Sequence, residues 1–399
     1  MKPRVLVLST YYHPVLGGAE THARRLVSYL HRAGFEVQVV TKRVSREHPV
    51  EAIVDDVRVH RVGPIGERRG RGKWVALPRF FAKALQLKST FDVIVCIDFR
   101  ATGIAALAAG RLLHRAVILQ AETGGVLASA NHGSSSGLPP EPGIVRAVKR
   151  APRAIYRRAD HIVCIGHDIE REALDTGVPR ERVHYLPHGV DLGRFHPAAP
   201  GDRDVLRTRL GWPTGRPIVL FVGRLSIEKG VLDLVEAWRL VDRRDALLVL
   251  VGPDMPAHPW DAGQKARALV AQHGLQDRVR FEGPVTDTAP LFRAADLSVQ
   301  PSHFEAFGLS AIEAMASGVP IVASNVGGLR DFLADNQNAL LHEPRSPASI
   351  AAAIARALAD SSLRARLAEA ALKTVIAEFD EQVLMDRYAQ LIERAAGTR

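Results

Sequence analysis

Short continuous apolar runs alternate with segments whose apolar residues fall three and four apart, and that alternation predicts strand, helix, strand from the start of the chain. Arg4 to Ser9 reads as a buried strand. Gly17-Gly18 then opens a helix whose apolar face is Ala23, Leu26, Val27 and Leu30; Gly34 ends it, and Phe35 to Thr41 is the next strand. The unit recurs, with strands at Asp92 to Ile97, Ala116 to Gln120 and Ile162 to Ile165 and a helix at Ile104 to Leu113. Strands without polar alternation are buried on both faces, so the first half is predicted to be a doubly wound parallel sheet.

After Pro197 to Gly215, read as a hinge and linker, the pattern starts afresh. Strands are predicted at Ile218 to Val222, Leu247 to Val251, Val279 to Glu282, Asp296 to Gln300 and Pro320 to Ala323. Helices are predicted at Leu232 to Val241, Asp261 to His273 and Leu309 to Ala316, with a short one before Asp296. Three helical patterns follow, Pro347 to Ala359, Ser362 to Glu378 and Glu381 to Ala396, and the last, having no strand after it, is expected to pack back across the first domain. The expected division is 1–196, 197–378 and a terminal helix, 379–399. Gly63 to Gly72 and Ala128 to Gly143, rich in Gly, Ser, Pro or Arg, read as mobile loops at the strand ends, where ligand contacts collect.

A length of 399 residues suits two such domains. Charge is uneven: residues 1–200 carry 30 Lys plus Arg against 18 Asp plus Glu, and residues 201–399 carry 23 against 25. The basic surface therefore belongs to the first half. Cys96 and Cys164, the only cysteines, each lie in an apolar strand run and read as reduced core thiols, which fits a cytoplasmic protein. No run reaches the roughly 18 apolar residues a membrane span requires.

Candidate chemistry gathers between Ser302 and Gly328. Glu305 to Gly308 is a strand-to-helix turn, and such a turn offers unpaired N–H groups and a positive dipole end to an anion. Phe307, Gly308 and Leu309 are the expected donors; Glu305 precedes them and Glu313 leans back toward them from within the helix. Carboxylates beside an anion site suit a ligand that carries both phosphate and sugar hydroxyls. After the Ile218 strand, Arg224 and Lys229 stand five apart in a loop leading to a helix, a pairing that suits a diphosphate leaving group. Gly17-Gly18 is not a dinucleotide fingerprint, because no third glycine follows, yet it lets a ligand approach the backbone. Asp202-Arg203-Asp204 reads as a helix start, and no metal is expected.

The strings Gly17-Gly18-Ala19-Glu20, Leu186-Pro187-His188-Gly189-Val190-Asp191, Phe221-Val222-Gly223-Arg224, Glu228-Lys229-Gly230, Phe281-Glu282-Gly283 and Glu305-Ala306-Phe307-Gly308-Leu309 to Glu313 occur in this order. Together they resemble the retaining glycosyltransferases of family four. The resemblance implies a GT-B fold, two Rossmann-like domains facing a central cleft, and a nucleoside-diphosphate sugar held mainly by the second. Arg224 and Lys229 would then hold the diphosphate, Glu313 the ribose hydroxyls and Glu305 the donor sugar, with the amides of Phe307, Gly308 and Leu309 near sugar and phosphate. Gly17 and Gly18 would face the diphosphate from the first domain. Val285 would meet the base through its backbone, with Asp287 adding a side-chain contact and uracil and guanine both open. In two places the chain departs from the family. Gln120 or Glu122 takes the place of a sugar-contacting histidine, and His188 and Gly166 stand where asparagine and serine are frequent, so Gln120, Glu122 and His188 are candidate sugar contacts.

The expected activity is transfer of a glycosyl unit, with retained configuration, to an acceptor hydroxyl. A nucleotide-sugar epimerase is the alternative, since it would share the architecture. Nucleic acid is excluded as a partner, because the basic half lacks an aromatic-studded strand face. Two basic clusters carry apolar and aromatic residues among their charges: Arg68, Arg69, Arg71, Lys73, Arg79, Lys83 and Lys88 with Trp74, Leu77, Phe80, Phe81 and Leu85; and Arg146, Lys149, Arg150, Arg153, Arg157 and Arg158 with Ile155 and Tyr156. They point to a lipid-linked or anionic acceptor and to peripheral association with the inner face of a membrane.

Overall fold

The computed structural model describes residues 2–15, 17–66, 71–100, 102–128, 143–256 and 258–397. They form two compact units, one from the residues up to His188 together with Gln382 onward, the other from Gly189 to Glu381.

In the first unit the chain runs β1 (Val5–Ser9), α1 (Gly18–Arg32), β2 (Val37–Lys42), β3 (Glu51–Val54), β4 (Val57–Val62), α2 (Arg71–Gln86), β5 (Val93–Ile97), α3 (Thr102–Leu113), β6 (Ala116–Ala121), α4 (Gly143–Tyr156), β7 (His161–Cys164), α5 (His167–Asp175) and β8 (Val183–Tyr185). The eight strands lie in the order β3-β4-β2-β1-β5-β6-β7-β8, all parallel except β3. Chain direction across the sheet reverses between β1 and β5, the place where doubly wound sheets take ligands. The predicted apolar face of α1 is fully buried, in a core shared with Val5, Val7, Val39 and Val95. Each such leucine contributes about 2 kcal/mol by leaving water.

The second unit runs α6 (Asp202–Leu210), β9 (Ile218–Val222), α7 (Val231–Leu240), β10 (Leu247–Val251), α8 (Gly263–Gln272), β11 (Val279–Gly283), α9 (Ala289–Ala294), β12 (Leu297–Gln300), α10 (Leu309–Ala316), β13 (Ile321–Ser324), β14 (Leu340–His342), α11 (Pro347–Ala359) and α12 (Ser361–Glu378). Its six strands are all parallel, in the order β11-β10-β9-β12-β13-β14, so the reversal lies between β9 and β12. The final helix, α13 (Glu381–Gly397), gives Met385, Tyr388, Leu391 and Ile392 to the core of the first unit.

Several expectations need correction. Pro197 to Gly215 is not a bare linker: acidic residues in the first turn and Gly211 in the left-handed region at the end make α6 within it. Arg207 of α6 is buried and donates to Asp296 at 2.6 Å, and Asp296 also accepts the Ile218 N–H at 2.7 Å. The loops expected at Gly63 to Gly72 and Ala128 to Gly143 end inside α2 and α4. Residues 67–70 and 129–142, and with them Arg68 and Arg69, lie outside the described residues. Cys96 and Cys164 are free thiols buried in β5 and β7.

Candidate active site

The strongest constellation sits at the C-terminal ends of β9 and β12, on either side of the sheet reversal in the second unit. The loop after β9 turns at Gly230, whose φ of +69° is left-handed and whose Cβ, if present, would lie 1.9 Å from the Pro301 carbonyl oxygen. Only glycine lets the two loops come this close. The amide of His303 donates to the Glu228 carbonyl at 2.8 Å and its Nε2 pairs with Asp233 at 2.6 Å, joining the β12 loop to the start of α7. Within this frame Lys229 Nζ donates to Glu305 Oε2 at 2.5 Å, and Ser302 Oγ donates to the same oxygen at 3.2 Å. Arg224 donates to the buried carboxylate of Glu228. The two cations that spacing selected are thus each held by a carboxylate, and charge-assisted bonds of this kind fix direction as well as distance.

Glu305 leads directly into the mouth of α10. Gly308 is the N-cap at φ +112°, and a Cβ there would fall 2.5 Å from Leu329 Cδ2. The Phe307 ring is buried against Phe332 and Phe379, at 5.4 and 5.7 Å between centroids, so the side chain anchors the turn and leaves the backbone to form the mouth. Leu309 begins the helix, and Glu313, one turn in, accepts from Thr288 Oγ1 at 3.4 Å. That contact places Glu313 beside the loop after β11, where Val285 is exposed. Asp287, on the same loop, accepts from Arg194 at 2.8 Å and from the Ala289 N–H at 3.1 Å.

The remaining candidates are in the first unit. Gly17 is the N-cap of α1 and Gly18 its first residue; the carboxylate of Glu20 lies over Gly17, 2.2 Å from where a Cβ would be. Gln120, Glu122 and His188 are brought together and buried. Gln120 Nε2 donates to Glu122 Oε1 at 2.6 Å, and His188 Nε2 lies 3.0 Å from Glu122 Oε2. His22, which the sequence reading passed over, joins them, its ring 4.3 Å from that of His188 and 6.5 Å from Tyr388. Burial, with His188 adding to it, holds the His22 pKa well below the usual histidine range. Glu172, also passed over, accepts the N–H groups of Gly125, Leu127 and Ala128 at 2.6, 2.6 and 2.7 Å, and so shapes the loop after β6.

Other residues missed in the sequence, Glu228, Asp233, His303 and Arg194, act by holding named site residues or their loops. The signal for Glu228 was present, since it lies between the two cations; the others are remote partners that spacing does not reveal.

Residues 16–194 match the family described as Glycosyltransferase Family 4, and residues 202–374 match Glycosyl transferases group 1. The D-inositol 3-phosphate glycosyltransferase of Xylanimonas cellulosilytica is 32% identical over 98% of each chain. Sucrose-phosphate synthase from Thermosynechococcus elongatus superposes with a TM-score of 0.85 at 26% identity, covering 99% of this chain and 100% of that one. The Anabaena protein HepE, solved with UDP-glucose, is alike in fold, with a TM-score of 0.78 at 20% identity over 98% and 100% of the two chains. These likenesses favour a transferase over an epimerase. With paired parallel sheets, phosphate-suited loops at a sheet reversal and relatives matching end to end, the chain belongs to the family-four glycosyltransferases of GT-B fold.

Proposed function

We propose that the chain is a retaining glycosyltransferase that moves a glycosyl unit from a UDP- or GDP-sugar to an acceptor hydroxyl. The observation that carries the reading is the placement of Lys229 against Glu305, with Arg224 on the same loop, at the β9 and β12 strand ends. Departure of a nucleoside diphosphate builds negative charge on the β-phosphate, and preorganised cations stabilise it as it forms. In the proposed step the bond from the anomeric carbon to the phosphate oxygen breaks and the bond to the acceptor oxygen forms on the same face. The acceptor proton passes to the departing phosphate oxygen. Arg224 and Lys229 meet the leaving charge, so no metal is assigned to it.

The amides of Phe307, Gly308 and Leu309 are assigned to sugar and phosphate, Glu313 to the ribose hydroxyls and the Val285 backbone to the base. Gln120, Glu122 and His188 remain candidate sugar contacts, and Gly17 and Gly18 candidate diphosphate contacts. HepE, of the same fold, was solved with UDP-glucose, which supports a nucleoside-diphosphate sugar as donor. The test is an array of UDP- and GDP-sugars with the product anomer read by NMR. An inverted product would end the retaining assignment, and full activity in Lys229→Ala would end the role of that lysine.

The acceptor is proposed to be anionic or lipid-linked. The relative acts, by its name, on D-inositol 3-phosphate, and the positive excess of this chain lies in its first half. The second basic cluster contributes less than its composition suggests. Arg153 is buried and donates to the Gly125 carbonyl at 2.8 Å, and Tyr156 is buried and donates to the Arg100 carbonyl at 2.6 Å. Lys149 and Arg150 on α4, and Arg79 and Lys88 with Val75 on and after α2, are exposed and form the proposed membrane-facing set. No helix among the described residues is long and apolar enough to cross a membrane. Co-sedimentation with vesicles that ignores their anionic lipid content would refute the peripheral assignment.

A further inference from the structure

Three side chains from separate elements of the first unit meet below its surface: His22 from α1, Glu122 just after β6 and His188 after β8. One ligand-capable atom of each lies within 4.8 Å of the other two. The neighbourhood is short of partners: Tyr388 Oη is buried without a hydrogen bond, and the side chains of His22 and Gln120 touch each other without giving His22 Nε2 or Gln120 Oε1 a bond of good geometry. A buried polar atom left unmatched costs about 1–3 kcal/mol, so a concentration of them around one point calls for an occupant.

The donor set says what kind. Two imidazoles and a carboxylate suit zinc and the later first-row divalent ions, whereas calcium and magnesium take oxygen ligands. We propose that His22, Glu122 and His188 form a binding site for one divalent transition-metal ion, zinc by preference. Ligand bonds of about 2.0–2.2 Å place the donor atoms of a tetrahedral site about 3.3 Å apart. His188 Nε2 and Glu122 Oε2 are already at 3.0 Å, so closing the site asks for a shift of the His22 ring of at most about 1.5 Å. The other Glu122 oxygen is held by Gln120 at 2.6 Å, the way ligating carboxylates are usually oriented. Three protein ligands leave a coordination position for water or a hydroxyl.

This goes beyond the transfer reading. The cations assigned to the leaving group belong to the second unit, so failure of either assignment leaves the other standing. The ion and a sugar hydroxyl make competing claims on Glu122 and His188.

The full chain, stripped with chelator and dialysed, is titrated with Co²⁺ and then Zn²⁺. The expected result is one equivalent of Co²⁺ giving visible ligand-field bands, displacement by Zn²⁺ and a rise in Tm. His22→Ala and Glu122→Gln should each weaken binding about 100-fold, and the second keeps the volume of the side chain should the first fail to fold. Absence of the bands at one equivalent, or bands unchanged in Glu122→Gln, overturns the site.

Discussion

Lys229 and Arg224 come to the site already paired, with Glu305 and Glu228, so their positions are set before a donor arrives. Removing one such charge usually costs about 10²–10³ in kcat. Lys229→Ala should fall in that range with a smaller change in KM, and Lys229→Arg should not restore it, because a planar fork cannot replace an ammonium against Glu305. Steady-state kinetics on the preferred donor checks both. Burial, with His161 as a further cause, lowers the His184 pKa to about 4, and burial lowers those of His161, His22 and His342 as well. These rings bind protons more readily when the chain is unfolded. Stability therefore carries no penalty from them above about pH 6.5 and is lost as the pH falls from there toward 4. Tm should drop across that window, and His184→Gln should drop less; equal slopes would remove His184 from the account.

The join between the β9 and β12 loops depends on a missing side chain. Gly230→Ala places a methyl 1.9 Å from the Pro301 carbonyl oxygen at a left-handed φ, whereas Gly274→Ala has a similar φ, +64°, with nothing within 4 Å. The second should cost about 1 kcal/mol and leave donor binding alone, and the first about 2 kcal/mol or more with weaker binding. Chemical denaturation and nucleotide titration of the pair separate strain from displacement. Elements were legible where one signal dominated. β9 and β10 are unbroken apolar runs flanked by turn residues, and α10 and α11 have clean helical spacing, so their limits were read correctly. The β3–β4 hairpin was missed because its two-residue turn is Asp55-Asp56, both at positive φ, without the glycine that usually marks it. α4 was hidden by Pro152 within it, and of α6 only the start at Asp202-Arg203-Asp204 was legible, because the prolines and glycines around it read as linker. The residues proposed for the donor site lie in short strings at strand ends and so stand out locally. His22 sits on the apolar face of α1, four residues before Leu26, and its partners come from distant parts of the chain.

The whole molecule is two units between which the chain passes at His188 and again at Glu381. On the proposed reading, a nucleoside diphosphate bound at α10 and the β9 loop would stabilise the second unit. At about 100 times Kd the gain is about 2.7 kcal/mol, or roughly 5–10 °C in its unfolding transition. A chain ending at Glu381 should still bind nucleotide, because those residues all precede it, while the first unit loses Met385, Tyr388, Leu391 and Ile392 from its core. Four large side chains at about 2 kcal/mol each approach the full stability of a domain, so that unit should become protease-sensitive. A truncated chain with a resistant first unit would show that α13 is dispensable.

The return of α13 also sets an order of events during translation. The unit whose first strand is made earliest lacks part of its core until the α13 codons have been read, while everything the other unit needs has by then been synthesised. The half begun first is therefore completed last, and chains released just before α13 should carry a finished second unit and an unfinished first one.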